Sequence, residues 1–255
     1  MQRVVVRAEQ IQGEILSLTA EQQHYLQRVL RLGTGDRFWV LNGTGDLWLA
    51  TLSTQPAQAT LTATTVAPPS DQTLPRCHIT LAAALPKQGF DEVVRQVTEL
   101  GVDRIVPLIS DRTLLRPSPN KLERWRRIAA EAAEQSERLT VPIISEPIAW
   151  LDWLSAESQD LRYFCVARQS APSLLSASLS TQAAFIEVAI GPEGGWTEDE
   201  CQRAIAQGYR PVTLGTNILR AVTAAVTALA ILRAGSDFAT MYPSVEMASC
   251  KPLKP

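Results

Sequence analysis

Two short stretches late in the chain hold residue types that chemistry needs. The first is "IGPEGGWTEDE", residues 190–200, with Gly191, Pro192, Glu193, Gly194 and Gly195 in succession. A glycine-rich turn before a helix commonly cradles a phosphate. This one lacks the Lys and Ser/Thr of a P-loop and the spacing of a dinucleotide fingerprint. Trp196 and Thr197 also stand between the glycines and the helix, and Thr197 with Glu200 spells a capping box. A capped helix start is not held open for an anion. What remains is a tight turn that uses glycine's freedom at positive φ, or a bare wall for an uncharged ligand. The second stretch is "LGTNILRAVTA", residues 214–224. Arg220 heads an apolar segment that carries no further charge until Arg233. A charge in that position is either paired or functional.

Composition narrows the chemistry further. The chain has 255 residues, 45% hydrophobic and 20% charged, as expected of a protein with a sizeable core. A net charge of −2 gives no global basic field, so any nucleic-acid surface must be local. Cys77, Cys165, Cys201 and Cys250 lie far apart and form no CxxC pair. His24 and His78 are the only histidines. A metal site and a Ser-His-Asp triad are therefore not expected. No apolar run approaches a membrane span, and the N-terminus lacks a signal-peptide core. The expected compartment is the cytoplasm.

The elements that must position these residues fall into two patterns. Residues 1–70 read as a small β-rich domain. "RVVVR" opens it, and a helix follows at "TAEQQHYLQRVLRL", capped by Thr19 with Gln22 and ended by Gly33. Its expected apolar stripe is Tyr25, Leu26, Val29 and Leu30. Two alternating runs flank "NGTG", a hairpin signal, and "ATLTATTV" is a β-branched strand. Residues 67–75, "APPSDQTLP", read as a linker. From 76 to 236 strand and helix alternate, which predicts an α/β domain with a mainly parallel sheet and helices on both faces. Residues 237–255 have no period and read as a loose tail. In such sheets ligands sit at the carboxyl ends of strands, where both stretches fall.

Together these residues resemble the signature pair of the SPOUT methyltransferase superfamily. The likeness is narrower still: it is to the bacterial family that methylates N3 of a uridine in 16S ribosomal RNA. "LPKQGFDEVVRQVTELGVDRIVPLISDRT" and "AAEQSERLTVP" resemble that family's further segments, and "HYLQRVLRLGTGDRFWVLNGTG" its PUA-like RNA-binding domain. The resemblance runs from the start to about residue 235. It implies a trefoil-knotted SPOUT sheet behind a PUA-like β domain, S-adenosylmethionine as cofactor, and a homodimer. It places the cofactor against Ala167, Ile190, Gly191, Pro192, Glu193, Gly194, Gly195, Leu214, Gly215, Ile218, Leu219 and Thr223. Arg220 is the implied catalytic group, stabilising charge on the uracil, with Glu193 a candidate base.

Two departures limit the transfer. Relatives read Leu-Gly-Pro-Arg and later Glu where this chain has Thr216, Asn217 and Val222, so roles of that Arg and Glu do not carry over. The expected RNA contacts are Arg112 and Arg116 from local basic density, Arg28, Arg31 and Arg37 as alternative phosphate contacts, and Arg138 from the resembled Glu-Gln-Ser-x-Arg segment, which the active site or the dimer interface would also explain. The expected partners are 16S rRNA or the small ribosomal subunit and a second copy of the chain, with no membrane and no metal. A ribose 2′-O methyltransferase of the same superfamily, and a non-catalytic RNA-binding protein that kept the fold, are the alternatives.

Overall fold

The computed structural model describes residues 2–62, 77–156, 161–179 and 183–241. The chain forms two compact units, Met1–Thr73 with Arg127–Pro142, and Leu74–Arg126 with Ile143–Pro255.

The first unit is built on strands β1 (Arg3–Val5), β2 (Ile11–Gln12), β3 (Ile15–Ser17), β4 (Arg37–Leu41), β5 (Leu47–Leu52) and β6 (Gln58–Thr62). They run in the order β1-β4-β5-β6-β3-β2, parallel between β1 and β4 and antiparallel elsewhere. Alternation sends Phe38, Val40, Ala50, Leu52, Ala59 and Leu61 to one buried face. The "NGTG" hairpin forms between β4 and β5. Asn42 organises it by accepting from the N–H groups of Thr44 (2.9 Å) and Asp46 (3.2 Å).

Helix α1 (Ala20–His24) has the expected capping box of Thr19 and Gln22. The next turn, Tyr25–Val29, is π-helical. The wider turn rotates Val29 out of the expected stripe, and it stands 59% exposed while Leu26 is buried. The helix ends at Arg31, which takes the left-handed conformation (φ 59°) two residues before Gly33.

Helix α3 (Pro119–Gln135) ends within this unit. Glu134 accepts from Val5 N–H at 2.6 Å, and Arg3 pairs with Glu137 at 3.0 Å. Burial pushes the Glu134 carboxyl up to about 7; the charge of Glu131 adds to the shift and the Val5 N–H opposes it. In the unfolded chain the same group titrates near 4.5. Folding therefore takes up a proton between these values, and stability falls as pH rises through that window. Glu134→Gln keeps the acceptor and cannot charge. It should melt at higher temperature than the parent at pH 8, and the gap should close as pH falls to about 5. A gap independent of pH would contradict this account.

The second unit holds β7 (His78–Ala84), β8 (Arg104–Ile109), β9 (Ile143–Ile144), β10 (Ile148–Ala149), β11 (Leu161–Cys165), β12 (Phe185–Ile190) and β13 (Arg210–Val212). The order is β10-β8-β7-β12-β11-β13, with β9 also on β8, and every pairing among the described residues is parallel. The helices are α2 (Phe90–Glu99), α4 (Trp150–Leu154), α5 (Leu174–Leu179), α6 (Glu198–Ala206) and α7 (Ala221–Met241). Trp150, Leu154, Cys201 and Ala204 of α4 and α6 cover the face that shows Ala82, Ala84, Val106 and Leu108. The alternate residues Ile79, Leu81 and Ala83 are also buried, and α7, packed with α2 and α5, lies against β7 and β12. The sheet is thus the expected parallel one. Helix α5 is not evident in the sequence, because six residues are too short to show a helical period.

Two buried charges on this sheet are held by partners. Arg233 of α7 donates to the carbonyls of Cys77 (2.9 Å) and Gly101 and pairs with Asp103 at 3.3 Å. Glu187 of β12 accepts from Trp153 Nε1 at 2.6 Å and from the Tyr209 hydroxyl, with Arg162 at 3.7 Å. Burial, then the Glu187 charge, raises the Tyr209 hydroxyl far above its ordinary range.

Helix α7 departs from the sequence reading twice. It runs to Met241, so the segment read as a tail from 237 begins helical. By length and composition it is also apolar enough to cross a membrane, which was not expected. Its Ala225, Ala228, Leu229 and Leu232 are buried in the unit, and Arg233 is bonded there as described. One side of α7 is thus packed into the core of the unit. The linker 67–75 and residues 242–255 lie outside the described residues.

Candidate functional site

Strands β12, β11 and β13 lie side by side, so the loops that follow them meet at one end of the sheet. Together they line a cleft of about 720 Å³. That volume suits a nucleoside-sized ligand, since such sites span roughly 300–1,000 Å³. Ala167, residues 190–195, Leu214, Gly215, Ile218, Leu219 and Arg220 all line it. Those sequence-named residues are therefore brought together. Thr223 is not among the lining residues, although Ala221 and Ala224 on the same first turn of α7 are. Val222 points elsewhere too: its Cγ2 lies 3.0 Å from where a Cβ on Gly89 would stand.

The glycines in "GPEGG" do different jobs. A Cβ on Gly191 would come within 3.0 Å of the Trp196 indole. That indole stacks on Trp150 at 4.7 Å and donates from Nε1 to the Cys165 carbonyl at 3.1 Å. Gly191 is thus required by a neighbouring side chain. A Cβ on Gly194 would meet Arg112 Cδ at 3.1 Å. Gly195 (φ 70°) closes a turn by donating to the Pro192 carbonyl at 2.8 Å. Around a Cβ on Gly195 or on Gly215 (φ 128°) there is open space. Gly191→Ala should drive the indole off Trp150. We expect a red-shifted tryptophan emission and a loss of about 1–3 kcal/mol in stability. An unchanged spectrum and melting curve would refute this role.

The helix behind the loop is closed to anions, as its capping box implies. Glu200 is buried; its Oε2 accepts from Thr197 N–H at 2.7 Å and its Oε1 from Asp111 N–H at 3.0 Å. Glu193 is exposed, and its Oε1 accepts from Lys87 N–H at 2.9 Å. One oxygen of its carboxylate thus ties two loops together. Arg220 is exposed at the head of α7, where its carbonyl accepts from Ala224 N–H at 2.8 Å. Among the described residues no side chain pairs with its guanidinium.

The basic residues scatter. Arg112 lines the cleft and donates to the Gly194 carbonyl at 2.6 Å. Arg116 is exposed in the segment before α3, and Arg28, Arg31 and Arg37 are exposed in the first unit. Arg138 is buried and donates to Thr140 at 3.3 Å, so it is not a surface phosphate contact. Among the lining residues that the sequence reading did not assign to the site are Arg168 and Trp196. Arg168 directly follows Ala167 in a left-handed conformation (φ 62°). Its place at a strand's carboxyl end was the available signal. The lining thus carries Arg112, Arg168 and Arg220 against one acid, Glu193, which favours a polyanion at the mouth.

The thiols in the cleft are quiet. Burial pushes Cys165 up to about 12 and also raises Cys201, with Glu198 and Glu200 adding to the latter. Neither supplies a thiolate near neutral pH. Among the described residues no cluster of His, Cys, Asp or Glu is built to hold a metal ion.

A family model of the RNA methyltransferase domain matches residues 72–233, and one of the RNA methyltransferase PUA domain matches residues 18–61. The ribosomal RNA small subunit methyltransferase E of Synechocystis sp. is 48% identical over 91% of this chain and 77% of its own length. The protein of the same name from Rickettsia conorii is 34% identical over 91% of this chain and 94% of its own. The Neisseria gonorrhoeae ribosomal RNA small subunit methyltransferase E, solved bound to S-adenosyl methionine, superposes with TM-score 0.76 at 28% identity, covering 94% of this chain and 98% of that one. A Legionella pneumophila methyltransferase with bound SAM superposes with TM-score 0.79 at 26% identity, covering 92% and 97%. The fold is that of an RNA methyltransferase with a PUA domain. The chain belongs to the ribosomal RNA small subunit methyltransferase E family.

Proposed function

We propose that this chain transfers a methyl group from S-adenosylmethionine to N3 of a uridine in 16S rRNA. The observation that carries the reading is the Arg220 guanidinium, without a side-chain partner among the described residues, at a cleft walled by bare backbone. The residues fit the cofactor. The open space beside Gly195 and Gly215 lets a nucleoside approach main-chain groups, and Leu214, Ile218 and Leu219 add apolar walls. The bound cofactor would supply a methyl on a positively charged sulfur, already activated for transfer.

What the chain must then do is position and stabilise. Uridine N3 has to lose its proton before its electron pair can attack. Arg220, the cation at the head of α7, stabilises the negative charge that develops on the two flanking carbonyl oxygens. Glu193 ties the loop through Oε1 to Lys87 N–H, and in this reading it sets loop geometry while water takes the proton. Arg168 favours the RNA backbone at the same mouth. The target base must be presented single-stranded or flipped, which gives the PUA-like unit, with exposed Arg28, Arg31 and Arg37, a docking task. The reading extends, on the family resemblance, to a trefoil-knotted homodimer working in the cytoplasm.

Mass spectrometry of small-subunit rRNA from a strain lacking the gene tests it. One methyl at a uridine N3 should disappear and return on complementation. An unchanged modification profile would overturn the proposal.

A further inference from the structure

We infer that Arg112 is a positioning residue for the methyl-donor loop. The inference rests on the cofactor reading above. The loop 191–195 has few bonds of its own; within it, Gly195 N–H meets the Pro192 carbonyl. Among the described residues, two side-chain hydrogen bonds tie it to the rest of the unit. Glu193 reaches the backbone of Lys87, after β7. Arg112, after β8, donates to the Gly194 carbonyl at 2.6 Å.

The Arg112 tie is built for this contact. Its stem lies against Gly194, with Cδ at 3.1 Å and Cβ at 3.4 Å from where a glycine side chain would begin. The turn that carries Arg112 is itself fixed, because Asp111 N–H donates to the buried Glu200, which also caps α6. Strand β8, helix α6 and the loop are thus joined through residues 111–112. A guanidinium can hold its donor plane against a carbonyl while its stem covers a glycine. Truncation removes both contacts at once. The Gly194 carbonyl and the loop then lose their external fixture on that side of the cleft.

The test separates this role from an RNA contact and from a failure of the cofactor reading. Calorimetric titration of wild-type protein with S-adenosylmethionine comes first, and saturable binding is required by the cofactor reading itself. Arg112→Ala should then weaken that binding by about tenfold, the loss of one charge-assisted hydrogen bond in a half-open site. In turnover it should raise KM for the cofactor with kcat much less affected. Arg112→Lys, which keeps a donor and the stem, should recover most of the affinity, and Arg116→Ala should bind as wild type. Melting curves within a few degrees of wild type exclude global unfolding for each variant. If wild type binds and Arg112→Ala binds equally well, with only KM for RNA raised, Arg112 is an RNA contact and the inference is overturned. If Arg112→Lys is as weak as Arg112→Ala while folded, the positioning account is likewise overturned.

Discussion

Arg220→Ala is expected to lower methyl transfer by about 10²–10³-fold while leaving cofactor affinity within about twofold of wild type. The size follows from the role. A preorganised cation facing the charge that develops on the uracil oxygens acts in the transition state and little in the ground state. The geometry makes a split between the two readouts reasonable. Arg220 is exposed, among the described residues its side chain supports no other, and its own backbone caps α7 whatever the side chain is. Folding should therefore survive. Arg220→Lys keeps the charge and loses the planar fork, so it should fall between the two. Single-turnover rates with saturating cofactor, paired with calorimetry, decide the matter. Turnover within a few fold of wild type would remove Arg220 from the mechanism.

Arg233→Ala is expected to cost about 3–5 kcal/mol in stability. Arg233 is buried, and its guanidinium binds two main-chain carbonyls and Asp103. Asp103 also accepts Ile79 N–H at 2.9 Å, so the group sits where β7, the turn after α2 and α7 converge. Truncation leaves buried acceptors without a donor and a cavity in place of the stem. Arg233→Met, which keeps most of the stem volume, should lose less. Urea unfolding followed by tryptophan emission measures both. A change below about 1 kcal/mol for the alanine variant would show that solvent replaces these bonds. The same helix starts at Arg220, so a well-folded Arg233 variant with slowed transfer would trace activity to helix anchoring.

Much of the second unit was legible because its signals are local. The period of 89–101 buries Phe90, Val93, Val94 and Val97 in α2, as its spacing predicts. The Thr197–Glu200 capping box is a contact three residues long, and it forms. The first unit was less legible where helix geometry changed. A π-turn moved Val29 outward, and no one-dimensional period announces such a turn. Arg138 was an expected RNA contact from its place in the segment "AAEQSERLTVP", yet the packing of its unit buries it.

The amino-acid sequence by itself determined the alternation of strands and helices, the capped helix that rules out a phosphate, and the two stretches that meet in the cleft. Adjacent residues and fixed periods carry those facts. Only the tertiary structure decided what each glycine answers to. Gly191 answers to Trp196 and Gly194 to Arg112, while Gly195 and Gly215 face open space. It also decided that Glu193 is a tie to Lys87. Those contacts join residues up to 106 positions apart, and their partners are set by which strands lie side by side in the sheet. No local spacing encodes that order.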